Sequence, residues 1–284
     1  MLGRMLAVTL AVTLGAPPAL AVTPPVPGRG AIAPAPAPKA EPAPTPEPAP
    51  PGPAVVPWLP DERMDFEINY LGVTMGKARI AVARPGNGVT PVQLFSRSAG
   101  VMSVLTFRQT MVSNLDDLTL LPRSSMLDAA EPGGYKHTDT ARFDRATNKA
   151  TVREKGRFDH TYEVDVPEGT LDFVALIFRL RTVPLPEGAS HEFQVLSGRT
   201  VSKVVATVMR REQVKTEAGN FPAVKVRVPT GFTGKFSEKN PTYVWFSDDV
   251  RRVVVRISTD FAIGRAEAEL TSYRPGQPAA EAAR

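Results

Sequence analysis

Between Asp61 and Arg274 the chain changes polarity at every second residue, and few architectures tolerate that period. In MDFEINYLG the residues Met64, Phe66, Ile68 and Tyr70 alternate with Asp65, Glu67 and Asn69. A period of two sends successive side chains to opposite faces, so the segment reads as a strand with one buried and one wet face. KARIAVA follows after Gly72 and Gly76, which supply a turn. The alternation recurs in VQLFSRSA, VLTFRQTMVSN, LTLLPRSSMLD, YKHTDTARFD, KATVRE, RFDHTYEVDV, HEFQVLSG, TVSKVVATVMRREQVKT, FPAVKVRV, TYVWFS, RRVVVRIST and RAEAELTSY. Turn signals such as EPGG, DRATNK, EKG and EAGNFP stand between these runs. About a dozen strands on short connections predict a mainly β domain, a curled antiparallel sheet that is half-barrel or barrel-like. There is no cysteine, so the fold must be held by its own core, and thiol chemistry is excluded.

One segment departs from the period. TLDFVALIFRLR, Thr170 to Arg181, has Thr170 as an N-cap candidate, Asp172 in the first turn, and Arg179 and Arg181 in the last, with Pro184 beyond. Almost no polar face remains on such a helix, so it is expected to be buried by the curling sheet or to face an apolar cavity. Phe173, Leu176, Ile177 and Leu180 are the candidate pocket lining, and Arg179 and Arg181 the candidate rim.

The N-terminal stretch sets the expected compartment. A basic start at Arg4, an apolar run from Met5 to Leu14 and the small residues Ala19-Leu20-Ala21 have the form of a secretory signal peptide over residues 1–21. The run is too short for an ordinary membrane span, an uncleaved signal anchor being the alternative. Residues 22–60 are dense in proline and alanine and read as an unstructured linker of extended polyproline character. The folded domain is expected over 61–274, with a flexible tail over 275–284. The expected location is the periplasm of a Gram-negative bacterium, or secretion from it.

Chemistry is sparse. The net charge of +5 is spread along the chain without a basic stripe interleaved with aromatics, which argues against nucleic acid as a partner. His137, His160 and His191 stand at no metal-ligand spacing, and no nucleophile elbow, phosphate loop or dinucleotide fingerprint occurs. No cofactor is expected. The bases Lys203, Arg210, Arg211 and Lys215 of the longest run read as a solvated sheet face or as an anionic-ligand contact. The adjacent pair Asp248-Asp249 lies between TYVWFS and RVVVRIS. Alternation puts Tyr243, Trp245 and Ser247 on one face, and Val253, Val255 and Ile257 opposite Arg252, Val254 and Arg256. The pair then forms the tip of a hairpin, where an Asp carboxylate bonds nearby backbone N–H groups. Neighbouring residues at a strand end point apart, whereas an acid and a base must converge on one substrate atom. Trp245, Asp248 and Asp249 are therefore structural candidates.

VWFSDDVRRVVVRI resembles the terminal signature of the bacterial exported family called domain of unknown function 3108, a Trp-x-Ser-x-Asp hairpin leading to Arg and an alternating strand. INYLGVTMGKARIAV is similar to that family's opening hairpin, LLPRSSMLD and TARFD to its middle strands, LDFVALIFRLR to its short helix, and VKTEAGNFPAVKVRV to its Thr-x-x-Gly turn. Val253 or Val254 stands where proline is common, and Ala175 where a small hydroxyl residue is usual; both bear on packing. The resemblance implies a fold and an exported location, with no catalytic residues to carry over. Two functions fit: a non-catalytic module that holds a lipid or other amphiphile, and a structural or interaction protein of the cell envelope with a filled core.

Overall fold

The computed structural model describes residues 55–100, 107–131, 133–229, 241–260 and 264–278. The expected signal peptide, residues 22–54 of the linker and residues 279–284 of the tail lie outside them.

Fourteen strands and one helix make up the described chain. Strands β1 (Arg63–Tyr70), β2 (Val73–Val82), β3 (Val89–Ser98) and β4 (Arg108–Asp116) are followed by β5 (Pro122–Ala130), β6 (Lys136–Asp144), β7 (Lys149–Lys155) and β8 (Asp159–Asp165). Helix α1 (Phe173–Thr182) then leads to β9 (Ser190–Ser197), β10 (Thr200–Thr216) and β11 (Gly219–Val228). Strands β12 (Thr242–Ser247), β13 (Val254–Asp260) and β14 (Arg265–Arg274) complete the chain. All fourteen form one antiparallel sheet in the order β8 to β1, then β14 back to β9. Every ladder joins strands consecutive in sequence except β1–β14.

The alternation explains the curl. Met64 of β1 stands opposite Ile80, Ile80 opposite Leu94, and Leu94 opposite Met111, so one apolar row crosses four strands on the inner face. The partners of that row continue across the sheet, and α1 fills the space they enclose. Val174, Ala175, Leu176, Ile177, Phe178 and Leu180 are all buried in one cluster with Met64, Ile80, Leu94, Val204, Val244 and Phe246.

The two edges of the sheet overlap instead of pairing. Val195 and Val204 face the main core, so Leu196 and its partner Val201 alternate to the opposite side. There Leu196 is buried against Ala141, Phe143, Ala150 and Val152 of β6 and β7, and Val201 packs beside it. Arg199, on the β9–β10 turn, lies 4.3 Å over the Tyr162 ring of β8 and 3.6 Å from the Glu154 carboxylate. No ladder joins β8 to β9; the curl is closed by these side chains and by Leu171, which exchanges backbone hydrogen bonds of 2.8 Å with Gln194 and Leu196 of β9.

Three expectations shift. Trp58, placed by composition in the linker, is buried edge-on against Phe178 with ring centroids 5.0 Å apart. An indole offers more apolar surface than the surrounding prolines, and the core extends to claim it. Within the expected tail, the Gln277 N–H donates to the Pro60 carbonyl at 2.8 Å. In the β12–β13 hairpin the register slips between Trp245 and Phe246, so Val254 pairs with Phe246, and Val253, Val254 and Val255 are all buried. A bulge adds one residue to a strand and breaks its alternation, which is why Val254 does not share a face with Arg252 and Arg256.

Candidate functional site

The residues singled out in the sequence gather at the end of the barrel where α1 starts and stops. Asp172, rather than Thr170, caps the helix: its Oδ1 accepts the Ala175 N–H at 2.9 Å and its Oδ2 accepts the Ser113 hydroxyl at 2.5 Å. The Thr170 hydroxyl instead donates to the Pro167 carbonyl at 2.6 Å. Burial pushes the Asp172 carboxyl up to about 6, against the pull of its two donors and of Arg145. Arg145 donates to the Pro122 and Thr170 carbonyls at 2.8 and 2.9 Å, tying β5 to the approach of the helix.

A carboxyl that binds its proton more tightly when folded favours the folded state at low pH. Asp172 therefore contributes stability that is fully present below about pH 4 and lost as pH rises through about 6, a difference on the order of 3 kcal/mol. Asp116, held down to about 2 by Thr119 and Arg123 despite partial burial, acts in the opposite sense at lower pH. The informative quantity is thus the wild-type stability minus that of Asp172→Asn, measured by urea denaturation from pH 4 to 7. It is expected to fall across that range, and a flat difference would mean that Asp172 does not titrate there.

At the other helix end Arg181 is not at a rim. Its side chain is 0% exposed and meets Glu62, itself 1% exposed, through two hydrogen bonds of 2.8 and 2.9 Å. Arg181 also donates to the Arg252 and Arg251 carbonyls at 3.0 and 2.9 Å, and its guanidinium lies over the Trp58 and Phe178 rings at 5.2 and 5.3 Å. Glu62 further accepts the Tyr273 hydroxyl at 3.1 Å, and burial together with that carboxylate raises the phenol to about 12. One arginine thus joins the helix, the N-terminal segment and the β12–β13 turn, and Tyr273 of β14 reaches it through Glu62. A cation inside the fold must be paired and hydrogen-bonded, which is the physical reason Arg181 is drawn inward. Arg179 stays half-exposed. Leu176, Ile177 and Leu180 are core residues, and Phe173 is half-buried against the same cluster.

The acidic pair divides its work. Asp249 Oδ1 accepts the N–H groups of Arg251 and Arg252 at 3.0 and 3.2 Å and the Ser247 hydroxyl at 2.8 Å. Its Oδ2 holds the Arg251 guanidinium at 2.6 Å, and its carboxyl is lowered by these contacts against the effect of burial. Asp248 points away to Arg211 of β10 at 2.8 Å and to Arg252 at 3.3 Å. The two carboxylates do not converge. Between this turn, the end of α1 and residues 55–59 runs an apolar groove of about 560 Å³, walled by Val55, Val183, Pro184 and Val250 over Trp58 and Arg181. Its arginines 181, 251 and 252 are paired with Glu62, Asp249 and Asp248.

The histidines are dispersed. His137 stacks on Tyr135 at 5.4 Å, His160 lies between Phe158 and Tyr162, and His191 bonds the Pro184 carbonyl at 2.8 Å. Glu62, Trp58 and Tyr273 carried no signal of spacing in the sequence, since Glu62 and Arg181 stand 119 positions apart.

The profile of the family described as "Protein of unknown function (DUF3108)" matches residues 65–271. The chain belongs to the DUF3108 family. The match runs from β1 into β14, so the family domain comprises the whole sheet and its helix. No curated protein matches the chain. Among solved structures, a β-barrel-like protein of the DUF1849 family from Brucella abortus aligns with a TM-score of 0.53 at 9% identity, over 77% of this chain and 98% of that one. This shows a shared barrel-like fold. A protein from Bacteroides fragilis, provisionally described as exported with a YmcC-like fold, aligns at TM-score 0.32 and 12% identity over 77% and 98% of the two chains. A Parabacteroides distasonis protein provisionally described as a lipoprotein aligns at TM-score 0.31 and 13% identity over 77% and 97%. None of the described helices is long and apolar enough to cross a membrane.

Proposed function

We propose that this DUF3108 protein is a non-catalytic interaction protein of the bacterial envelope whose barrel is a filled scaffold. The burial of α1 supports this reading: the four residues that would line an acyl cavity pack into the core, three of them completely enclosed. The signal-like N-terminus supports export, and the separate engagement of Asp248 and Asp249 supports a structural hairpin rather than an acid and base. The groove beside Trp58 favours a second reading, the capture of an amphiphile, since its volume lies in the range of small-molecule sites. Its neutralised arginines fit an uncharged ligand better than an anionic one.

Ile177→Trp probes the filled core, and Val183→Trp, in the groove wall, probes the second reading. In a filled core the added bulk is expected to destabilise the protein by about 1–3 kcal/mol, and the wild type is expected to take up no fluorescent fatty acyl probe. Stoichiometric probe uptake by the wild type, abolished by a well-folded Val183→Trp protein, would establish the carrier reading instead.

A further inference from the structure

Cations at the two ends of the barrel are treated differently. At the end where α1 begins and stops, Arg84, Arg123, Arg251 and Arg252 hold Asp61, Asp116, Asp249 and Asp248. At the other end, which carries the β1–β2, β5–β6 and β7–β8 connections, Arg108, Arg199 and Arg265 hold Asp128, Glu154 and Asp260, but five further cations form no ion pair among the described residues. Lys77 of β2 stands directly opposite Arg97 of β3, Arg97 opposite Arg108 of β4, Arg108 opposite Ala130, and Ala130 opposite Lys136 of β6. Directly opposed residues share a face, and this row lies on the outer one, so four cations cross five strands set about 4.8 Å apart. Like charges placed directly opposite destabilise a ladder, yet the row contains two such pairs. Arg108 has Asp128 at 3.5 Å. Lys77, Arg97 and Lys136 have no ion pair among the described residues, nor do Lys155 and Arg157, and all five are exposed. Of the nearby acids, Asp159 stands opposite Lys155 but holds Arg153, Glu67 stands opposite Lys77 but accepts the Thr74 hydroxyl, and Glu131 is half-exposed.

Past this row the hairpin tips are apolar. Leu71 is 62% exposed, Phe158 71%, Tyr135 46% and Val73 43%. Apolar tips beyond a belt of unpaired cations match a bilayer interface, where the tips enter the acyl boundary and the belt meets the phosphates. We propose that this end of the barrel docks on the surface of an anionic phospholipid bilayer. The inference names the partner of the interaction protein proposed above and rests on that reading.

Sedimentation with vesicles tests it, using the full chain throughout so that the N-terminal residues are common to every sample. Vesicles containing phosphatidylglycerol are expected to pellet the protein, pure phosphatidylcholine vesicles are not, and added salt is expected to weaken binding. Lys77→Gln combined with Arg97→Gln should lower the partition coefficient about 30-fold. Leu71→Asn combined with Phe158→Ser should lower it about tenfold or more. Both tip positions are exposed, and Asn suits the left-handed backbone at residue 71, where φ is 50°, so thermal melting should be unchanged. Arg84→Gln, at the opposite end, should bind as the wild type does. Equal pelleting by the two kinds of vesicle, or undiminished binding by both double variants, would overturn the proposal. Lipid recovered from the supernatant as a soluble complex with the protein would overturn the filled-scaffold reading alone, because docking is read from the pellet.

Discussion

Glu62→Gln is expected to destabilise the fold by about 3–5 kcal/mol, because it leaves the Arg181 guanidinium enclosed without a counter-charge. Arg181→Met should cost a similar amount by stranding Glu62. Neither effect is the net worth of the ion pair, since bringing both charges out of water opposes their attraction. The double variant Glu62→Gln/Arg181→Met should therefore lose clearly less than the two single losses together, and that coupling is the signature of a direct buried pair. Guanidinium denaturation of the four proteins measures it. Single losses below about 1 kcal/mol would show that water reaches the pair, contrary to side-chain exposures of 0% and 1%.

Trp245→Ala should be comparably damaging, at about 3–5 kcal/mol. Trp245 shares the face of β12 that meets Lys225 and Arg256, yet it belongs to the main apolar cluster and is only 3% exposed. Its burial comes from long polar side chains: the Lys225 ammonium lies 4.8 Å and the Arg256 guanidinium 5.7 Å from the ring centre, and the indole N–H donates to Glu212 at 2.5 Å. Such side chains cover apolar surface with their stems while their heads stay wet. Trp245→Phe, which keeps the ring contact and loses the N–H, should cost only about 1 kcal/mol. Similar losses for Ala and Phe in a urea titration would assign the effect to the hydrogen bond and refute the packing account.

These contacts also mark how much was legible in the sequence. Alternation is local, so the strands could be read directly; the run TVSKVVATVMRREQVKT is β10 residue for residue. The apolar helix was legible for the same reason, although its cap was misplaced by two residues because a threonine and an aspartate both suit that role. The fate of Arg181 was hidden. Whether an arginine at a helix end faces water or a buried carboxylate depends on a partner far away in sequence, and Glu62 looks like any other acid beside a linker. The overlap of the sheet edges was equally hidden. Leu196 and Val201 lie on the side of their hairpin away from the main core, and only the return of β6 and β7 over them makes that side a second core.

The strand order has a consequence for how the chain reaches this state as it emerges N-terminus first. Thirteen ladders join fourteen strands, and twelve of them can form between neighbours as soon as each hairpin is available. The β1–β14 ladder cannot, because β14 is the last strand to appear. Until it does, the β1–β8 and β9–β14 ribbons share no strand ladder, and α1, encoded between them, has only part of its enclosure. Ladders between distant segments form late because they must first close a long loop. The meander can thus grow as the chain emerges, while the completed barrel waits for the final strand to join the first.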